Sequence, residues 1–242
     1  MRKTRMFCLP FAGGTKAIYG SFNAYLDDIV EVAPLEYSGH GTRFSDPLFT
    51  SISEIVNDIC TQIRASRCTD YIITGHSLGA AVAFEAAYKM TFYYLNPPKS
   101  LVLIAEIPPH LRRMDHSKSR DEIMAEIIAL GHMPDEIVSN KELYNIYSEI
   151  LYADIHALDN HRPSLPERTL DLPISVYAGM LDDSVYESDL RQWEKYSSKA
   201  ILYRSIEGGH FFPFDNTKTF MEIFRQDLIQ NLRSLELRRA HA

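Results

Sequence analysis

The sequence predicts an α/β fold, with a mostly parallel central sheet flanked by helices and an all-helical insertion beyond its middle. Three observations carry that reading. Short β-branched and aromatic runs alternate with helical periods through the first hundred residues. One of those runs stops at Gly75-His76-Ser77-Leu78-Gly79 and passes at once into a helix of small side chains, Ala80 to Ala87. From about residue 112 to 161 strand signals give way to helical periods alone, and then the alternation resumes. Strands interleaved with helices imply parallel pairing with both faces covered. At 242 residues the chain reads most simply as one domain, 1–242, with a helical lid insertion at about 111–162.

Taken in order, Thr4 to Leu9 is the first buried strand, and Pro10-Phe11-Ala12-Gly13-Gly14 turns out of it. The Gly-Gly pair is expected to leave backbone amides open to a ligand oxygen. Tyr19 to Leu26 is a short amphipathic helix, and Ile29 to Tyr37 is a second strand running into Ser38-Gly39-His40-Gly41-Thr42-Arg43. In that loop His40 reads as a loop residue, and Arg43 either positions a substrate or pairs with Asp46. Ile52 to Arg64 repeats its apolar residues at the spacing of one helical face. Tyr71 to Thr74 leads into the Ser77 turn, and Lys99 to Ala105 is the next strand, ended by Pro108-Pro109.

Helices are then expected over Asp121 to Leu130, Pro134 to Val138 and Lys141 to Leu158, the last capped by Asn140. Arg112, Arg113, Lys118 and Arg120 form a local basic run near the start of this insertion. It is either a solvated face or a contact for an acidic partner. Strand Ile174 to Ala178, helix Asp189 to Tyr196, strand Ile201 to Ile206 and a closing helix from Thr217 to Leu235 complete the chain.

Composition narrows the partners. Apolar residues at 45 % and charged residues at 24 % are ordinary for a globular protein. A formal charge of −7 argues against nucleic acid. Three cysteines without a metal-ligand spacing read as reduced thiols, and no metal site is expected. The apolar run after Arg5 is too short for a signal peptide, and no run approaches a membrane span. A cytoplasmic protein with no membrane partner is therefore expected, and a monomer is the expected state although nothing in the composition decides it.

The chemistry converges on strand ends. Gly-x-Ser-x-Gly between a strand and a helix is the pattern of a nucleophile elbow, in which Ser77 would be held in a strained conformation. The Leu78 amide and the helix dipole would then face an anion forming beside it. A Cβ at Gly75 or Gly79 would clash in so tight a turn. Two later strand ends carry an acid and a histidine, which places Ser77, Asp182 and His210 in the chain order of α/β hydrolases. Asp183 competes with Asp182 for the acid role. Asp182, three residues after Gly179, holds the position this fold normally uses. His76, His156 and His161 read as structural or surface histidines.

With these residues in view, the chain resembles the type II thioesterases, the free-standing editing enzymes of non-ribosomal peptide and polyketide synthesis. The match runs nearly the whole chain in order: Phe7 to Gly14, Gly39 to Arg43, Gly75 to Gly79, Pro108-Pro109-His110, Asp135-Glu136, Gly179 to Asp183 and Gly208 to Phe212. The resemblance implies an α/β-hydrolase fold, a triad of Ser77, Asp182 and His210, and oxyanion amides from Ala12 and Leu78. It implies acyl thioesters on the phosphopantetheine arm of acyl or peptidyl carrier domains as substrate, with no cofactor of the enzyme's own. Two departures bear on substrate preference: Tyr37-Ser38-Gly39, where the family usually has Leu-Pro-Gly, and Ala105-Glu106, where it often has Ser-Gly. The rival readings are an esterase for a diffusible ester and a non-catalytic binding protein. An intact Ser77, Asp182 and His210 argues against the second.

Overall fold

The computed structural model describes residues 3–112, 118–131, 133–161 and 167–240. Six strands, β1 (Thr4–Leu9), β2 (Val30–Pro34), β3 (Tyr71–His76), β4 (Ser100–Ile104), β5 (Ile174–Gly179) and β6 (Leu202–Ile206), form one sheet. Their order is β2-β1-β3-β4-β5-β6 and every pairing is parallel. After β2 the chain crosses over β1 to begin β3 on its far side. The carboxyl ends of β1 and β3 therefore flank the point where the winding reverses, the place where open α/β sheets collect ligands.

Alternation along β1 shows how the sheet is covered. Met6 and Cys8 face one side, with Tyr19, Phe22, Phe220 and Phe224, while Phe7 and Leu9 face the other, with Ile59, Phe84 and Leu151. The first layer belongs to α1 (Asn23–Leu26), the 3-10 turn before it (Lys16–Phe22) and the long closing helix Thr217–Ala240. The second belongs to α2 (Ile52–Ala65) and α3 (Leu78–Phe92). Ten residues of α3 are buried, most of them Ala or Gly, which lets the helix lie close against the sheet.

The insertion packs on this second side. It contains α4 (Arg120–Ala129), α5 (Asp135–Ser139) and α6 (Lys141–Asp159). Ser119 and Glu122 close a reciprocal capping box on α4, and Asn140 accepts from the amides of Glu142 and Leu143 to start α6 as expected. The region 189–196 divides into α7 (Glu187–Leu190) and a 3-10 segment, Arg191–Tyr196. A further short helix, α8 (Phe212–Asp215), follows His210, and Thr217–Ala240 is α9. Strand β2 ends at Pro34, three residues before the expected Tyr37. Beyond it the buried Glu36 turns inward and accepts from the amides of Lys16 and Thr42, which takes the chain out of the sheet. Among the described residues, no helix is long and apolar enough to cross a membrane, and Cys8, Cys60 and Cys68 are buried free thiols.

Candidate active site

The elbow has the geometry the sequence implies. Ser77 sits between β3 and α3 at φ 55° and ψ −120°, outside the regions an L-residue favours, at a cost of about 1–3 kcal/mol. Its amide donates to Ile104 O at 2.9 Å, which fixes the turn against β4. A Cβ on Gly75 would overlap the backbone of Gly79, and one on Gly79 would overlap the carbonyls of Leu9 and Pro10. Ser77 occupies the N-cap of α3 without making a capping hydrogen bond, so its hydroxyl is not committed to the helix. It lines a cavity of about 490 Å³ together with His210, Asp182, Ala12 and Phe11, roofed by Ile127, Leu130, Ile155 and Leu158 of the insertion.

The acid and the histidine meet at the ends of β5 and β6. His210 Nδ1 lies 2.8 Å from Asp182 Oδ2, and the Asp182 side chain is 2 % exposed. Since a carboxylate only accepts, Nδ1 is the donor and Nε2 is left as the acceptor able to take a proton. Ser184 donates its amide and hydroxyl to Asp182 Oδ1. Burial acts to raise the Asp182 carboxyl, but the bonds from His210 and Ser184 outweigh it and hold the group below its ordinary range. The neighbouring Asp183 is exposed, and it is Asp182 that meets His210. The two strand ends are also locked together: Leu181 N–H donates to Gly208 O, and a Cβ on Gly179 would strike the carbonyls of Gly208 and Gly209.

His76 has a positional part the sequence did not disclose. Its Nε2 donates to the backbone carbonyl of His210 at 2.7 Å, from within an aromatic box of Phe11, Phe211 and Phe214. It therefore braces the loop that presents His210.

The loop after β1 corrects one expectation. The Gly13 amide donates to Asp154 Oδ2 at 2.7 Å and the Gly14 amide to Phe11 O at 2.9 Å, so neither is open to a ligand. The amides of Ala12 and Leu78 have no acceptor among the described residues. Tyr19 and Tyr37 donate their hydroxyls to Leu9 O and Pro10 O, at 2.7 and 2.9 Å, and bolt the start of this loop in place. Tyr37, one of the two departures from the family pattern, is thus a strut for the backbone. Asp154 comes from α6 and is 1 % exposed. The same Oδ2 lies 3.0 Å from His40 Nε2, and His40 Nδ1 lies 2.9 Å from Ser38 O. Ser38 O can only accept, so Nδ1 donates, and the Asp154 carboxylate facing Nε2 favours the imidazolium form of His40. Burial opposes the charge, but the Asp154 carboxylate more than compensates and raises the His40 pKa.

Other candidates resolve to structure. Arg43 pairs with Asp46 and Asp58 and donates to Glu36 O, which makes it an organiser of its loop. His161 pairs with Glu85, and His156 stacks on Tyr152. The basic run does not form a patch among the described residues. Lys118 pairs with Glu126, Arg120 lies over the Tyr152 ring, and Arg112 is buried against Glu106 in the cavity. Arg113 lies outside the described residues. No three His, Cys, Asp or Glu side chains among the described residues are placed to hold a metal ion.

A strained serine and a histidine bonded to a buried aspartate on one cavity, with unengaged amides at Ala12 and Leu78 beside the serine, are the parts of an acyl-transfer site. The family model for the thioesterase domain matches residues 4–228. The chain belongs to the thioesterase family. This thioesterase is 28 % identical over 219 residues to the thioesterase PikA5 of Streptomyces venezuelae, covering 87 % of this chain and 76 % of the relative. The crystal structure of ClbQ, from the colibactin NRPS/PKS pathway, superposes with a TM-score of 0.85 at 30 % identity over 97 % of this chain and 99 % of that one. The type II thioesterase BorB, from the borrelidin biosynthetic cluster, superposes with a TM-score of 0.83 at 25 % identity, covering 93 % of each chain.

Proposed function

We propose that this thioesterase hydrolyses acyl thioesters on the phosphopantetheine arm of acyl or peptidyl carrier domains. It would clear stalled or aberrant groups from a non-ribosomal peptide or polyketide assembly line. The observation that carries the chemistry is the 2.8 Å bond from His210 Nδ1 to Asp182, on the wall of the cavity that also holds the strained Ser77. The near end-to-end similarity to ClbQ supports the setting.

In this reading His210 Nε2 takes the proton of Ser77 as its oxygen attacks the thioester carbonyl. Asp182 keeps Nδ1 protonated and stabilises the imidazolium that forms. The amides of Ala12 and Leu78 stabilise the oxyanion, each worth about 3 kcal/mol in comparable sites. The thiolate leaves and takes the proton held by His210. Water, activated by the same nitrogen, then attacks the acyl-serine and releases the acid. Serine, histidine and aspartate supply nucleophile, base and orienting acid, so the reaction calls for no cofactor beyond the arm that the carrier brings. A monomer acting in the cytoplasm beside its synthase completes the proposal.

The test is intact-mass spectrometry of a carrier protein loaded with an acetyl group, mixed with the wild type or Ser77→Ala, with a simple ester run in parallel. Rapid loss of acetyl with the wild type and none with a correctly folded Ser77→Ala is expected. Ester hydrolysis with an untouched carrier would contradict it and return the chain to small-molecule esterases.

A further inference from the structure

Glu106 lines the cavity and has no part in the acyl-transfer geometry. It follows β4 at the second place where the sequence departs from its family. The preceding Ala105 adopts φ 53°, a left-handed conformation that costs an alanine about 1 kcal/mol or more. The side chain is 8 % exposed and its surroundings are fixed. Trp193 Nε1 donates to the Glu106 carbonyl at 3.1 Å, while Ile107 N–H and Arg112 Nε donate to Oε1 at 3.0 and 3.3 Å. The second oxygen, Oε2, accepts no hydrogen bond, yet it is not sealed away from the cavity.

Arg112 is as deeply placed, with its side chain 7 % exposed; its Nη2 lies 3.1 Å from Glu106 Oε1, and its Nη1 has no hydrogen-bond acceptor. A guanidinium and a carboxylate frequently close on each other through two parallel bonds. Here the guanidinium engages one oxygen and leaves the other open. Burial raises the Glu106 carboxyl above its ordinary range, against the pull of Arg112 and His210. Glu106, Asp182 and Asp183 line the cavity beside Arg112 and His210, and no lysine is among the described lining residues. Such a wall disfavours an acyl chain that ends in a carboxylate and favours one that carries a cation.

We propose that Glu106 Oε2 receives the ammonium of an α-aminoacyl thioester, which makes Glu106 a specificity residue for aminoacyl over neutral or carboxyacyl groups of similar size. Arg112 holds the carboxylate in position. The proposal rests on the thioesterase reading above and refines its substrate class.

The test uses N-acetylcysteamine thioesters of alanine, lactate and malonate; the first two differ only in ammonium or hydroxyl, and the third carries a carboxylate and lacks the methyl group. After correction for their spontaneous hydrolysis, the wild type should show a kcat/KM for alanyl about tenfold above lactoyl, the scale of one charge-assisted hydrogen bond. In Glu106→Gln the alanyl value should fall about tenfold, while lactoyl changes less than about twofold. That unchanged lactoyl value also shows that the variant is folded. Equal wild-type rates for alanyl and lactoyl would overturn the proposal even if the variant fails to fold. A parallel loss on both substrates, or a wild-type preference for malonyl, would overturn it as well. A wild type inactive on all three contradicts the thioesterase reading itself, which separates the two failures.

Discussion

Leu78 and Ala12 carry amides that have no acceptor among the described residues, on loops held in opposite ways. The Leu78 loop is set by the backbone alone: a strand end, a strained serine and two glycines whose absent side chains let α3 approach β1 and β3. The Ala12 loop is set by side chains from distant parts of the chain. Tyr19, Tyr37 and Asp154 each hold one of its backbone groups, and Asp154 belongs to the helical insertion. One donor is therefore independent of the insertion, while the other is tied to it. Movement of α6 would disturb the Ala12 amide and leave the Leu78 amide in place.

The comparison can be broken most severely at the elbow. Gly79→Ala should cost more than about 3 kcal/mol, because its Cβ would enter the backbone of Leu9 and Pro10, which has no soft side chain to yield. Loss of the cooperative thermal transition, or a drop in Tm beyond about 10 °C, checks it, and activity should vanish with it.

A smaller effect is expected on the other side. Asp154→Asn keeps an acceptor for Gly13 but removes the charge facing His40. About 1–3 kcal/mol of stability and a roughly tenfold fall in kcat are expected, with KM for a small thioester little changed. The pH dependence sharpens this. The His40 pKa is raised in the folded protein, so the stability that the pair contributes is complete below the unfolded value of about 6.5 and is lost as pH rises through the folded value. Glu36 also faces His40 and acts in the same sense. The gap in Tm between wild type and Asp154→Asn should therefore narrow on going from about pH 6 toward alkaline pH. A constant gap would remove the imidazolium from the account.

What could be read in the sequence follows the same division. The elbow is local, since five consecutive residues between a strand and a helix specify it, and β1 appears at Thr4–Leu9 as its pattern requires. Asp182 and His210 were legible because strand ends of a parallel sheet gather at one edge. Asp154 could not be recognised, because its partners Gly13 and His40 lie 141 and 114 residues away and only packing of α6 joins them. The same packing closes off the Gly13 amide, while the Gly14 amide is taken by a local turn to Phe11 O. Adjacency left the role of Arg112, Lys118 and Arg120 open. In sequence they form one basic run, whereas the fold sends the first into the cavity and the others to partners on the insertion. Glu106 could be noticed as a departure from a family pattern, but its open oxygen could not.

The central claim is that Ser77 is the nucleophile activated by His210. Its most direct test is reaction of the folded protein with an alkyl fluorophosphonate, followed by intact-mass and peptide analysis. The account predicts a single adduct on the peptide containing Ser77, formed rapidly by the wild type and at least about a hundredfold more slowly by His210→Ala. A stable adduct on another residue, or labelling of Ser77 at an equal rate in the variant, would contradict it.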